Sequence, residues 1–168
     1  MAHLVLSVVG DDRTGLVSTL ADTVAAHGGN WERSELAELA GAFAGIVLVT
    51  VPDARAAELT AALEQLDGLL RVTTHSGVPA ASPAGRSLTF TVLGNDRPGI
   101  VRDVTSAVSA HALSIDGFTS RTLDAPMAGG TLFEATVSVR VPDDQDAAPI
   151  VTALERLADE IQVDLSLG

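Results

Sequence analysis

A chain of 168 residues, 46% hydrophobic and 19% charged, has enough apolar material for a real core and is not a disordered tail. Its 22 acidic residues stand against ten Arg and no Lys, giving a net charge of −12, and only 3% of its residues are aromatic. Such a surface repels phosphate backbones and anionic lipids and lacks rings for base stacking, so neither direct nucleic-acid binding nor membrane binding is expected.

The absence of Cys excludes disulfides, thiolate metal sites, iron–sulfur clusters and a cysteine nucleophile together. The opening segment MAHLVLSVVG lacks a basic start and a small-residue cleavage site, so it reads as a first strand and not a signal peptide. No apolar run reaches the length of a bilayer span, and a cytoplasmic protein is expected.

Leu4, Leu6 and Val8 alternate with their neighbours, which predicts a first strand with one buried face. A turn follows, in which Asp12 stands three residues before Gly15, where a carboxylate is expected to cap the first amides of a helix. That helix carries Leu16, Val17, Leu20 and Val24 at three- and four-residue spacing and ends near His27. Trp31–Leu39 and Phe43–Val51 read as two strands joined by a tight turn at residues 40–42. After Pro52 a second helix is predicted with Leu59, Leu63 and Leu66 on one face, and Leu70 and Val72 supply a closing strand.

The same series then recurs. VVGDDRTGLV (8–17) matches VLGNDRPGIV (92–101) at an offset of 84, and FAGIVLVTVP (43–52) matches FEATVSVRVP (133–142) at an offset of 90. The extra residues fall in the Pro/Gly-rich stretch LDAPMAGG (123–130). Leu88, Phe90 and Val92 form the first strand of the second copy. Ile100, Val101, Val104 and Val108 line its helix, with Pro98 tolerated in the preceding turn. Residues 115–123 and 131–141 form its hairpin. Ile150, Leu154 and Leu157 mark its second helix, and Ile161, Val163 and Leu165 its closing strand. Two modules, 1–77 and 87–168, are therefore expected, joined by VPAASPAGR (78–86), a linker of small residues and prolines. Strand, helix, hairpin, helix, strand is the split βαβ pattern of an α+β, ferredoxin-like βαββαβ fold, an antiparallel sheet with both helices on one face. On the other face, copy one has Ile46 and Leu48 where copy two has Thr136 and Ser138, so copy one is the expected site of sheet packing or of a homodimer contact.

The D-R-x-G turn is the main candidate site. Its glycine lets the backbone approach a ligand, and the helix N-terminus offers free amides and a dipole that favour a carboxylate. Asp12, Arg13 and Gly15, and again Asp96, Arg97 and Gly99, are retained in both copies. His27 and His111 read as residues favoured by a helix C-terminus, and His3 and His75 show no metal spacing. The run Asp143, Asp144, Gln145, Asp146 lacks the glycine and distal Glu of a calcium loop and reads as a helix N-terminus. Glu32, Arg33, Glu35 and Glu38 read as a solvated face. No nucleophile elbow, P-loop or dinucleotide fingerprint is present, so no catalytic residues, metal or cofactor are expected.

With D-R-x-G at the first turn, and a first helix ending in His27-Gly28-Gly29-Asn30-Trp31, each copy resembles the ACT domain. Two such copies without an attached enzyme resemble the glycine cleavage system transcriptional repressor group within that family. The resemblance implies amino-acid binding between modules, with glycine or serine as first guesses. One module would supply turn amides, at Gly15 with Leu16 or at Gly99 with Ile100, and another the polar side chain at the Asn30 position. In copy two, Ser114 replaces that Asn and Ala112 a Gly, which implies a weaker second site. An amino-acid sensor acting through a protein partner is the leading expectation, and a non-catalytic regulatory subunit docking on a metabolic enzyme is the alternative.

Overall fold

The computed structural model describes residues 1–78, 85–124, 130–143, 146, 148–149, 152–153 and 161–167, the last stretch through its backbone. The chain divides into two compact units, Met1–Ala81 and Ser82–Gly168. In the first, β1 (Ala2–Asp11), α1 (Leu16–Ala26), β2 (Asn30–Leu39), β3 (Ala42–Val51), a 3-10 turn (Asp53–Arg55), α2 (Ala56–Glu64) and β4 (Arg71–Ser76) follow in order. The second runs β5 (Arg86–Asn95), α3 (Ile100–Ser109), β6 (Ser114–Asp124), β7 (Thr131–Val141) and β8 (Ile161–Leu167). Both sheets are antiparallel, with strand orders β2-β3-β1-β4 and β6-β7-β5-β8. Each is the ferredoxin-like arrangement expected from the repeat.

The alternation seen in the sequence is the alternation of the pleat. Leu4, Leu6 and Val8 of β1 and Val47, Val49 and Val51 of β3 are buried against Leu16, Leu20 and Val24 of α1 and Leu59 and Leu63 of α2. In the second unit Leu88, Phe90 and Val92 meet Val137, Val139 and Val141 beneath Ile100, Val104 and Val108. Each such side chain contributes about 1.5–3 kcal/mol by leaving water. Two apolar positions depart from expectation. Val17 and Val101 are exposed on the first turns of α1 and α3 rather than buried. The second helix stops at Glu64, and Leu66 reaches the core from the turn beyond it. The second helix of the second module (Ile150, Leu154, Leu157), the side chains of its closing strand, and most of the linker and of the LDAPMAGG stretch lie outside the described residues.

The β2–β3 connection is a two-residue turn in which Ala40 and Gly41 both have positive φ, 53° and 84°. Left-handed geometry at both central positions matches the right-handed twist of the paired strands. The Glu38 carboxylate accepts a hydrogen bond from the Gly41 amide at 2.6 Å, so this residue closes the hairpin and is not merely solvated. The Gly41 carbonyl in turn accepts from the Asp12 amide at 2.9 Å, and the Asp96 amide donates likewise to the Thr131 carbonyl at 2.8 Å. In both modules the strand–helix turn is thus tied to the hairpin. No helix among the described residues is long and apolar enough to cross a membrane.

Candidate functional site

Both D-R-x-G turns end in a glycine at the helix N-cap, Gly15 at φ 93° and Gly99 at φ 87°. Neither N-cap makes a side-chain hydrogen bond. The expected capping by Asp12 and Asp96 is therefore wrong. The chain enters each helix through a left-handed residue that has no side chain to cap with, and each Asp is held three residues back by its own amide. Leu16 and Ile100 are 2% and 3% exposed, so their side chains belong to the core and only their backbone can meet a ligand. The Ile100 amide already leans on the Arg97 carbonyl at 3.3 Å.

The two arginines differ. Among the described residues Arg13 reaches Asp11 at 3.4 Å, and it stays exposed. Arg97 binds Asp103 on the first turn of α3 at 2.7 Å, and this guanidinium is the main reason the Asp103 carboxyl titrates below its ordinary value. Copy one has Thr19 at the position of Asp103 and so offers Arg13 no such partner.

Asn30 opens β2 opposite Thr50, which itself lies opposite His3, whereas Asp11 lies opposite Ala42 at the other end of the sheet. Eight residues of strand separate the two ends, roughly 26 Å at about 3.3 Å per residue. The turn and the Asn30 position of one module therefore cannot hold the same small molecule. Ser114, opposite Arg140, is placed in the same way in the second module.

A cluster that sequence reading missed surrounds Asn30. The β2–β3 register shifts between Trp31 and Arg33, and the β6–β7 register between Ile115 and Gly117. Glu32 and Asp116 are thus the extra residues of equivalent β-bulges, a device that re-aims a side chain. Glu32 Oε1 accepts from Asn30 Nδ2 at 2.9 Å and from Thr50 Oγ1 at 2.8 Å. These two donors, Asn30 first, hold the Glu32 carboxyl below its ordinary range, with a weaker attraction from His3 and an opposing push from burial. In the second module the bulge carboxylate Asp116 is instead bound by the Arg140 guanidinium. The signal for this difference was present in the sequence, since Thr50 and Arg140 stand at matched positions of the aligned segments.

The remaining candidates are structural. His27 Nδ1 bonds the Thr23 carbonyl at 2.8 Å at the end of α1, and Asp146 accepts from the Ala148 amide at 3.1 Å, as a capping carboxylate does. Arg33 pairs with Glu35 on the strand surface. Among the described residues no group of three or more His, Asp or Glu is placed to hold a metal ion.

Two ACT-domain family models match this chain, one over residues 2–76 and the other over residues 89–159. A glycine cleavage system transcriptional repressor of Escherichia coli (strain K12) is 28% identical over 170 residues, spanning 99% of this chain and 89% of that protein. The crystal structure of an unknown protein from Galdieria sulphuraria is 31% identical with a TM-score of 0.85, covering 99% of this chain and 98% of that one. A further crystal structure, provisionally assigned to a glycine cleavage system transcriptional repressor, shares the fold at 17% identity and a TM-score of 0.71, with the same coverage.

Proposed function

We propose that this chain, which belongs to the ACT-domain family, is a non-catalytic regulator that senses a small amino acid. The observation that carries this reading is the duplicated turn. Gly15 and Gly99 each leave a helix N-terminus without a side-chain cap, and such amides suit a carboxylate. Gly15 and Asn30 lie at opposite ends of the first module's sheet, so within that module the turn and Asn30 are separate candidate contacts. Val17 and Val101, beside the two turns, are exposed apolar side chains that a bound ligand or a protein partner would cover. Glycine and serine are the first ligands to try, because a relative spanning 99% of the chain is a glycine cleavage system repressor. The acidic surface favours an output through a protein partner and not through DNA, in a cytoplasmic setting.

Binding alters the output only if the ligand prefers one packing of modules over another. A second reading rests on Ile46, which is 50% exposed on the sheet face away from the helices. That face would dock on a metabolic enzyme, making the chain a regulatory subunit.

Calorimetric titration of the whole chain with each common amino acid tests the first reading. Asn30→Ala should weaken binding by about 1–3 kcal/mol, the cost of losing a partner at a buried polar contact, and Ser114→Ala by less. Gly15→Val and Gly99→Val place a branched side chain on a left-handed residue, and the variant of whichever turn holds the ligand carboxylate should lose binding. A wild-type chain that binds no amino acid at millimolar concentration ends the reading. A stoichiometric enzyme retained through purification, without amino-acid binding, would establish the second.

A further inference from the structure

The first strand–helix turn has little of its own to hold it. Asp12, Arg13 and Thr14 are all exposed, and among the described residues the one backbone hydrogen bond their amides make is that of Asp12 to the Gly41 carbonyl. The support that Asp12 leans on is itself strained. Ala40 and Gly41 turn the hairpin in left-handed backbone, which is costly for Ala40 because it carries a Cβ. A Cβ built on Gly41 would meet nothing within 4 Å, so packing does not hold this residue. Hydrogen bonds hold it from both sides. The Glu38 carboxylate accepts from its amide at 2.6 Å, a charge-assisted bond, and its carbonyl accepts from Asp12 at 2.9 Å.

The second module solves the same problem from the other direction. Its Asp96 amide meets the Thr131 carbonyl at 2.8 Å, but Thr122, paired with Phe133 as Glu38 is paired with Phe43, has no carboxylate to offer the hairpin. Its clamp lies on the helix side, where Asp103 takes the Arg97 guanidinium at 2.7 Å. The first module has Thr19 in place of Asp103. The two carboxylates are thus exchanged between the copies, and each turn is fastened by one of them.

We propose that Glu38 is the positioning residue of the first D-R-x-G turn, acting through Gly41 on the Asp12 amide, and that Asp103 has this part in the second module. The first turn is therefore set by its hairpin and the second by its own helix. The inference rests on the amino-acid reading above only for the role of the turn, and it deepens that reading by naming the group that aims the first turn's backbone.

Amide hydrogen exchange of the full chain without ligand, followed by NMR in wild type, Glu38→Ala and Glu38→Gln, tests it apart from that reading. Glu38→Ala should speed exchange at both Gly41 and Asp12 by about twofold to tenfold, the net worth of one hydrogen bond. Leu6, Val8 and Asp96 should exchange as in wild type. Glu38→Gln keeps a carbonyl acceptor and should retain most of the protection. Faster exchange at Gly41 without a change at Asp12 overturns the inference, because the bond would then end at the hairpin. Equal acceleration along all of β1 also overturns it, since Glu38 would then act on overall stability alone. So does a Glu38→Gln protein that exchanges as fast at Asp12 as Glu38→Ala.

Discussion

On the sheet face turned away from the helices, the two modules share a register and little else. In the first, Val5 pairs with Leu48 and Ser7 with Ile46 between His3 and the exposed Val9. The matching row of the second is Thr89 with Ser138 and Thr91 with Thr136, and Thr89 and Ser138 are joined by a 3.0 Å hydrogen bond. The core faces keep valine at the same three β3 and β7 positions. Duplication has therefore preserved what the fold needs and let the outer face diverge. One copy presents an apolar surface beside a carboxylate held by the neutral donors Asn30 and Thr50, and the other a hydroxyl-covered surface beside an ion pair. The first face is the more apolar of the two and the second the more polar.

The sharpest way to break this comparison is to place charge on both faces. Ile46→Lys with Leu48→Lys should disrupt any homodimer built on the first module, read as a fall in mass by light scattering, whereas Thr136→Lys with Ser138→Lys should leave the mass unchanged. An unchanged, soluble species in the first case would show that the apolar face is not the contact.

A smaller effect is expected where the first helix leaves each module. Gly28 and Ala112 both occupy left-handed backbone, at φ 69° and 55°, but only glycine does so without a steric cost. That cost is roughly 1–2 kcal/mol for an L-residue, offset in part by the extra chain entropy of an unfolded glycine. Ala112→Gly should stabilise the second module by about 0.5–1 kcal/mol in denaturant unfolding. Destabilisation would mean that the Ala112 methyl makes contacts worth more than the strain.

The smallest effect concerns the ion pair that only the second turn possesses. Asp103 has its carboxyl lowered from an ordinary value of 3.8, mainly by Arg97. Its contribution is therefore present above that value and lost as pH falls through the lower, folded one. Asp103→Asn should flatten that part of the acid limb in thermal unfolding, by a small amount because water screens the pair. An acid limb identical to wild type would leave Arg97 no stabilising role through this pair.

The fold was legible because its periods are clean. Two-residue alternation in Leu4–Val8 and helical spacing in Leu16–Val24 report the same buried face that the sheet and helix later present. The site was legible in part. Glycines 15 and 99 declared the turns, but an Asp three residues earlier imitates a cap, and only the backbone angles show that the glycine holds that position. The bulges left a mark that was not read: Trp31 and Leu36, and likewise Ile115 and Phe118, pack on one core at an odd spacing, the phase slip that one extra residue puts into a two-residue alternation. Glu32 therefore read as one more solvated charge, although the exchange of Thr50 for Arg140 stood in the alignment.

The bond from Asp12 to Gly41, repeated from Asp96 to Thr131, bears on how occupancy could be read elsewhere. A short hydrogen-bonded link between the helix entrance and the hairpin makes the two a single mechanical element. A ligand that pulls on the turn amides would then strain a bond to the hairpin of the same sheet, worth about 1 kcal/mol. The displaced feature would then be a strand edge some distance from the ligand, an output that a partner protein could recognise without touching the ligand at all.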